Sequence, residues 1–311
     1  MHKEKILGAL DLGPQAVQLL LLKYTQDDKF ETVGEFVAVT RLCDGLSHTN
    51  SLSESAIERS VQAAVEMRTI AIKEGVDDLI VTANSAIREA NNRSKFLVKC
   101  HLALNIYPQL LNGIEEARFS YLGARSDLPT DQAALVLEAG YRTVRAAFGQ
   151  GEDIHKAVSM PCGAMLLEEQ LGPDWQHSIL KQKTAHSIIK KDFGKFEEDF
   201  TSWAPRSETT VIVCGDLATS YAAFLKHEFY DRQELNSTVS NIEELSSACK
   251  HLAHLSLPDR TAIQGMDRDS AEALPSGLFI LTVLLRSLGM INFRVSTAGF
   301  RWGILKSFMK P

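Results

Sequence analysis

The sequence predicts an α/β fold of two domains that are related by internal duplication, with a functional cleft between them. Segments typical of strands alternate with segments typical of helices along the whole chain. A polar, proline-containing segment, Arg125–Gln132, separates two such series. The pattern that opens the first series returns directly after this segment. A chain of 311 residues is long enough for two domains of ordinary size.

The first half begins with apolar strands and continues with alternating helices and strands. Leu19–Leu22 is an unbroken apolar run, which is typical of a strand buried on both faces. A helix is predicted from Ser55 to Glu74, because Ser55-x-x-Glu58 has the pattern of a capping box and Gly75 is a typical stop. The other predicted elements are strands at Ile6–Asp11, Val17–Tyr24, Thr32–Thr40, Leu79–Thr82 and Ile106–Leu111, and helices at Ser85–Leu104 and Ile114–Gly123.

The second half repeats the opening pattern. The segments LDLGPQAVQLL and LEAGYRTVRAA share an apolar strand, a carboxylate, one further residue, a glycine, a turn and an apolar strand. The two carboxylates are Asp11 and Glu138. Because the repeat follows the polar segment, we predict domains at residues 1–124 and 125–311. Further elements are predicted at Cys162–Phe200, Leu217–His227, Asn241–Leu255, Pro275–Leu288 and Arg301–Met309 (helical) and at Thr210–Cys214 and Phe293–Ser296 (strands).

The composition restricts the partners and the cellular location. A formal net charge of −6 and a pI of about 5.9 predict a surface that repels nucleic acid and anionic membranes. The five scattered cysteines form no C-x-x-C pair and are interpreted as buried residues in a reducing compartment. The N-terminus lacks a signal-peptide pattern, and Leu278–Leu285 is interpreted as part of a buried core helix. We therefore expect a cytoplasmic protein that binds neither nucleic acid nor membranes.

The paired carboxylate–glycine hairpins indicate a phosphate site. A glycine lets backbone N–H groups approach an anion closely, and a carboxylate can hold a metal-bound water. A single Asp-x-Gly is also a common turn, so the indication depends on the pair. Glu115 and Glu116 open the helix that follows Gly113. They are interpreted either as favourable charges at a helix N-terminus or, for one of them, as a general base that activates water.

Several segments together resemble the exopolyphosphatase and guanosine pentaphosphate phosphatase (Ppx/GppA) family, within the actin, hexokinase and heat-shock ATPase superfamily. The segments that carry the resemblance are Asp11-Leu12-Gly13, Arg41–Leu46, Thr82–Ala90, Gly113–Arg118 with Tyr121-Leu122-Gly123, Gly163-Ala164, and Ser296 with Gly299–Gly303. The resemblance covers residues 5–308 and implies two ribonuclease-H-like domains that flank an active cleft.

The resemblance also implies roles for individual residues. Glu116 matches the family's proposed base, and Arg88 matches an arginine that contacts phosphate. Asp11 and Glu138 would hold Mg²⁺. The remaining expected phosphate contacts are Gly13, Gly140, Thr143 and Gly215.

The hairpins depart from the family pattern. The first reads D-x-G-S-N-S in the family, whereas Pro14-Gln15-Ala16 follow Gly13 here. The second reads D-I-G-G-G-S-T-E, whereas residues 138–145 are EAGYRTVR. Tyr141 and Arg142 are expected to obstruct a backbone cradle, so a loop of another shape is predicted. Arg142 is interpreted either as a direct phosphate contact or as a solvated loop residue. Asp216, next to the third glycine turn, would compete with phosphate for helix N-terminal amides.

Two functions from different classes remain open. The first is a phosphoanhydride hydrolase that acts on polyphosphate or on guanosine penta- or tetraphosphate, with activity weakened by the altered loops. The second is a catalytically inactive relative that binds phosphate or nucleotide for regulation. A sugar or acetate kinase of the same superfamily is a weaker alternative, because Glu115-Glu116-Ala117-Arg118 matches the phosphatases. A homodimer is a further expectation.

Overall fold

The computed structural model describes residues 4–25, 29–172, 175–203, 208–227, 231–264, 266 and 268–309. By its internal contacts the chain divides into two compact units. Unit 1 comprises Met1–Glu115 and Ile304–Pro311, and unit 2 comprises Glu116–Gly303. Each unit is built around one β-sheet, as expected for an α/β protein. The domain division between residues 124 and 125 stays a prediction.

Unit 1 contains a five-stranded sheet in the order β3-β2-β1-β4-β5. Its strands are β1 (Lys5–Leu12), β2 (Ala16–Tyr24), β3 (Phe30–Val39), β4 (Asp78–Ala83) and β5 (Gln109–Leu110). β1 pairs antiparallel with β2 and parallel with β4. Leu19–Leu22 is buried, as the apolar run predicted. Of the strand predicted at Ile106–Leu111, only two residues pair in the sheet.

The helices of unit 1 begin and end where local chemistry allows. They are α1 (Leu46–Thr49), α2 (Glu54–Lys73), α3 (Ser85–Glu89), α4 (Arg93–Leu104) and the start of α5 (Gly113–Ala124). The cap predicted at Ser55 is wrong. The Ser53 side chain accepts the Ala56 N–H, so the N-cap lies two residues earlier and the helix begins at Glu54. The single helix predicted at Ser85–Leu104 is two helices. Asn92 interrupts them, because its side-chain amide bonds both backbone polar groups of Leu52.

Unit 2 contains a six-stranded sheet in the order β10-β11-β9-β6-β7-β8. Its strands are β6 (Ala133–Ala139), β7 (Val144–Gln150), β8 (Asp153–Met160), β9 (Thr210–Cys214), β10 (Val239–Asn241) and β11 (Asn292–Ser296). The sequence analysis missed β8 and β10. Both are edge strands, and β8 (DIHKAVSM) is polar enough to lack a strand-like apolar pattern.

The helices of unit 2 cover its sheet. They are α6 (Ala164–Leu171), α7 (Ile179–Trp203), α8 (Asp216–Lys226), α9 (Arg232–Leu235), α10 (Ile242–His254), α11 (Leu257–Thr261), α12 (Arg268–Leu288) and the start of α13 (Phe300–Phe308). By length and composition α12 could span a membrane, yet 78% of its most apolar window is buried inside the protein. Its burial confirms a core helix at Leu278–Leu285. It begins before Pro275 rather than at it, because Ala271, Ala273 and Leu274 are also core residues.

The two sheets share one topology. In unit 1 two antiparallel pairings, β1–β2 and β2–β3, accompany the parallel pairings β1–β4 and β4–β5. In unit 2 the pairings β6–β7, β7–β8, β6–β9 and β9–β11 have the same order and the same directions. β10 is an addition at one edge. The shared topology matches the repeat that the sequence contains.

The cysteines are structural in the described chain. All five are buried, and none of them forms a disulfide bond within the described residues. Burial raises the pKa of the Cys100, Cys162 and Cys249 thiols to about 12. Thiols with such pKa values carry almost no thiolate at neutral pH, so they have little nucleophilic character.

Candidate functional site

The first hairpin turn lies between β1 and β2. The Gly13 N–H donates to the Ala16 carbonyl at 3.0 Å, and a Cβ at Gly13 would lie 2.7 Å from that same oxygen. Only glycine therefore fits this turn. Asp11, at the end of β1, is 5% exposed. Its carboxylate accepts bonds from the hydroxyl of Thr82 at 3.2 Å and the amide of Asn84 at 3.4 Å, both at the end of β4.

The second hairpin turn, between β6 and β7, repeats this geometry. The Gly140 N–H donates to the Thr143 carbonyl at 2.9 Å, and a Cβ at Gly140 would lie 2.8 Å from that oxygen. Among the residues that the structure describes, neither Tyr141 nor Arg142 has a positive φ. The turn therefore has the same hydrogen bond as the first one, without backbone strain. A loop that differs in shape from the family's cradle stays a prediction.

The outer face of the second turn holds the start of α6. The N–H groups of Gly163, Ala164 and Met165 donate to the carbonyls of Arg142, Gly140 and Tyr141 at 2.8–3.0 Å. A Cβ at Gly163 would lie 2.4 Å from the Arg142 carbonyl carbon. These contacts satisfy the amides that a helix N-terminus leaves unpaired. They also explain physically why glycine stands at residue 163.

The interpretation of Arg142 as a solvated residue is wrong. Arg142 is 5% exposed, and its Nη1 lies 3.4 Å from the Glu169 carboxylate in α6. The guanidinium therefore helps to fix the second turn on α6. A direct contact with phosphate stays a prediction.

Unit 2 contains a buried polar cluster of two carboxylates and one guanidinium. Arg145 lies directly opposite Glu138 across the β6–β7 pairing. Its Nη1 lies 2.9 Å from Glu138 Oε1, and its Nη2 lies 2.8 Å from Glu116 Oε2. Ser120, one turn after Glu116 in α5, donates to Glu138 Oε2 at 2.5 Å. We call Glu116, Ser120, Glu138 and Arg145 the carboxylate–arginine cluster.

The adjacent residues Glu115 and Glu116 have different roles. The Asn112 side chain accepts the N–H groups of Ile114 and Glu115 at 3.0 Å, and the Glu115 carboxylate accepts the Asn112 N–H at 2.7 Å. This is a reciprocal capping box, so Glu115 stabilises the start of α5. Glu116 is fully buried and belongs to the carboxylate–arginine cluster.

The third glycine turn lies against Glu138. Gly215 has a φ of +91°, and a Cβ there would lie 2.8 Å from Glu138 Cγ. Only glycine fits both the conformation and the space. The preceding Cys214 Sγ is 4.0 Å from Glu138 Oε2. Burial, and then the charge of Glu138, raise the pKa of this thiol well above its ordinary value. Asp216 begins α8 and is exposed.

Within each unit the structure brings several predicted residues together. In unit 2, Glu116, Glu138 and Gly215 meet at the cluster, and Gly140 and Thr143 close the adjoining turn. In unit 1, Asp11 and Gly13 share the first hairpin. Arg88, in α3, is half-buried, and its Nη1 donates to the Leu111 carbonyl.

The sequence analysis missed Arg145 and Ser120. Arg145 closes the repeated pattern, and the hairpin register places it opposite Glu138. Ser120 lies four residues after Glu116, so the two share one helix face. Strand register and helix spacing were therefore available signals.

The donors in unit 2 do not fit a resident divalent cation at Glu138. Both oxygens of Glu138 are engaged, one by the Arg145 guanidinium and one by the Ser120 hydroxyl. Within the described ranges, no three His, Cys, Asp or Glu side chains are grouped as a metal site. Mg²⁺ prefers an octahedral set of oxygens without a competing cation. We therefore derive no step of a reaction through Mg²⁺.

The fold and the hairpins define a class of protein. Two sheets of one topology, each with a carboxylate and a glycine turn at the same place, are the features of a protein with two actin-like domains. Residues 23–311 match the model of the Ppx/GppA phosphatase family, and the chain belongs to this family.

Relatives and solved structures agree with this assignment. Exopolyphosphatase 1 of Mycobacterium leprae is 21% identical over 96% of this chain and 88% of its own. A guanosine-5'-triphosphate,3'-diphosphate pyrophosphatase of Aeromonas hydrophila is 23% identical over 98% of this chain, which spans 60% of that relative's length.

Two solved structures share the fold over nearly all of this chain. The Aquifex aeolicus member of the Ppx/GppA family has a TM-score of 0.83 at 21% identity and covers 98% of both chains. An exopolyphosphatase of Cytophaga hutchinsonii has a TM-score of 0.88 at 19% identity, over 98% of this chain and 97% of its own.

Proposed function

We propose that this protein hydrolyses terminal phosphoanhydride bonds of polyphosphate or of guanosine penta- or tetraphosphate. Membership of the Ppx/GppA phosphatase family supports this proposal. The names of its relatives, an exopolyphosphatase and a guanosine-5'-triphosphate,3'-diphosphate pyrophosphatase, supply the two substrate classes. Both substrates are chains of anionic phosphates, so one site with closely approaching backbone amides suits either.

The observation that carries the proposal is the ion pair between Glu116 and Arg145. The Arg145 guanidinium, 2.8 Å away, holds the Glu116 carboxylate in one orientation. A carboxylate that is fixed in place is suited to take a proton from a water beside it. Glu116 is therefore the proposed general base that takes a proton from the attacking water.

The remaining proposed roles concern binding. The turns at Gly13, Gly140 and Gly215 are the proposed phosphate contacts. The N–H groups of Gly13 and Gly140 are bonded within their own turns, so other backbone groups of these turns would make the contact. Arg88 and the Thr143 hydroxyl would donate to phosphate oxygens. Asp11 is the proposed carboxylate for Mg²⁺, because carboxylate oxygens suit this ion and Asp11 lies beside the Gly13 turn of the first hairpin. Sequence reasoning also predicts that Glu138 binds metal. A metal ion there would have to compete with the Arg145 guanidinium, which already contacts this carboxylate.

A second candidate is a catalytically silent protein that binds the same phosphate chains. Two observations favour it. Glu116 is fully buried and held by an ion pair, so it would have to move to meet a water. The first hairpin carries Pro14 and Ala16 at the places of the two serine hydroxyls in the family pattern, and proline has no backbone N–H to donate. Losing one preorganised donor costs about 2.7–4 kcal/mol of transition-state stabilisation.

Phosphate release distinguishes the two candidates. Purified protein is incubated with polyphosphate or with guanosine pentaphosphate, in Mg²⁺ and in a chelator. The hydrolase predicts release above background from at least one substrate. No release, together with a raised unfolding temperature in the presence of that compound, supports the silent binder, since a ligand at about 100 times its Kd adds about 2.7 kcal/mol. If the protein releases no phosphate and its unfolding temperature does not change, both candidates are rejected.

We also propose a cytoplasmic location and no partner of the nucleic-acid or membrane type. The net charge of −6 supports this, because an acidic outer surface repels nucleic acid and anionic lipids. A homodimer stays a prediction.

A further inference from the structure

We propose that the Arg145 guanidinium is the resident cation of unit 2 and takes the place that a divalent metal ion would hold beside Glu138. In this proposal Arg145 compensates one of the two formal negative charges of Glu116 and Glu138, and no metal is needed to hold the two carboxylates together. The proposal applies to the folded protein without substrate, so it can be tested whether or not the protein hydrolyses phosphoanhydride bonds.

The geometry of the carboxylate–arginine cluster supports a shared cation. One guanidinium contacts both carboxylates through different nitrogens, at 2.9 Å to Glu138 and 2.8 Å to Glu116. All three side chains are at most 11% exposed. Two buried carboxylates this close to one cation repel each other strongly without it, because burial weakens solvent screening.

Neighbouring groups enclose the guanidinium and hold it in place. Its central carbon lies 5.1 Å from the centroid of the Phe300 ring, a cation–π distance. Ser120 occupies the second oxygen of Glu138, and Gly215 lies against the Glu138 side chain. The space around Glu138 is thus filled by protein groups that complement a guanidinium rather than by further oxygen ligands.

The formal charges of the cluster explain why a cation lies here. The two carboxylates carry a formal charge of −2, and the Arg145 guanidinium reduces it to −1. Arg145 therefore supplies from the chain itself part of the positive charge that a divalent ion would otherwise supply.

Removing the guanidinium creates a defined defect. Arg145→Gln removes the cation that contacts both buried carboxylates, Glu116 and Glu138. Carboxylate oxygens suit Mn²⁺ and Mg²⁺, so a divalent ion can occupy the vacated place and restore the charge balance. Metal binding at Glu138 should appear in the variant and be absent from the natural protein.

The experiment measures unfolding temperature and Mn²⁺ binding, by electron paramagnetic resonance, on substrate-free protein. In the natural protein we expect no effect of Mn²⁺ on the unfolding temperature that depends on Glu138, so Glu138→Gln should leave any effect of Mn²⁺ at Asp11 unchanged. Arg145→Gln should unfold at a lower temperature and recover part of the loss in Mn²⁺. The double variant Arg145→Gln/Glu116→Gln should regain part of the lost unfolding temperature without any metal. Arg142→Gln is the matched control, since Arg142 pairs with Glu169 outside the cluster, and should gain nothing from Mn²⁺.

Two results would overturn the proposal. One is a Mn²⁺-dependent rise in the unfolding temperature of the natural protein that Glu138→Gln abolishes. The other is an Arg145→Gln variant that binds no Mn²⁺. If Arg145→Gln does not fold alone, refolding yields with and without Mn²⁺ replace the temperatures. Recovery in Mn²⁺ then supports the proposal, and failure in Mn²⁺ while the double variant folds contradicts it.

Discussion

Gly303→Ala is expected to destabilise this protein by about 3 kcal/mol or more, at the upper end of the cost of overpacking. A Cβ at Gly303 would lie 1.8 Å from the Phe119 carbonyl oxygen and 2.5 Å from its carbon. Both are backbone atoms of α5, so no rotamer change relieves the clash. At Gly123, also in α5, a Cβ would lie 1.9 Å from the Gly299 carbonyl oxygen. α5 therefore has to shift, and it carries Glu116 and Ser120.

Urea unfolding measures this loss, with Gly194→Ala as the matched control. Gly194 lies in α7, and a Cβ there would meet no atom within 4 Å. Alanine at this helical position should stabilise the protein by up to about 1 kcal/mol. An unfolding free energy of Gly303→Ala within about 0.5 kcal/mol of the natural protein would contradict the close approach of α13 to α5.

Glu116→Gln is expected to lower kcat for phosphate release by about 10²–10⁴-fold, the usual contribution of a general base. The amide keeps the shape of the side chain but cannot accept the proton of water. Glu115→Gln is the matched control, because Glu115 caps α5 through Asn112. The Glu115→Gln variant should have a somewhat lower free energy of unfolding than the natural protein and an unchanged kcat.

The comparison of these neighbours separates chemistry from folding. Both variants are first shown to be folded by their unfolding temperatures, and initial rates are then measured at saturating substrate. Equal losses of kcat in both variants would assign the effect to the start of α5 as a whole. Full activity of Glu116→Gln would exclude Glu116 as the base.

Much of the fold was predictable because burial leaves a pattern in the sequence. Apolar runs such as Leu19–Leu22 mark strands that are buried on both faces, and the repeat around Asp11 and Glu138 marks two hairpins of the same geometry. β8 was missed, because an edge strand gains its structure from pairing with β7 rather than from its own residues. The early start of α12 was missed, because a proline is usually found at the beginning of a helix and Pro275 lies inside this one. The turns before Pro275 are stabilised by packing in the core.

The candidate site was predictable at its glycines and less so at its charges. A glycine required by close backbone approach, as at Gly13 and Gly140, is recognisable in a repeated turn. The sequence did not distinguish the roles of Glu115 and Glu116, because either of two adjacent glutamates at a helix start can cap the helix or form a buried ion pair. Arg145 was missed because its role depends on a partner in α5, which is distant in sequence from β7.

A double-mutant cycle between Arg145 and Glu138 tests most directly whether the carboxylate–arginine cluster is one coupled unit of the folded protein. Unfolding free energies are measured for the natural protein, Arg145→Gln, Glu138→Gln and the double variant. The structure predicts a coupling energy of about 2 kcal/mol or more, as for charged residues in direct contact within one network. A coupling energy below about 0.5 kcal/mol, as for independent sites, would contradict it.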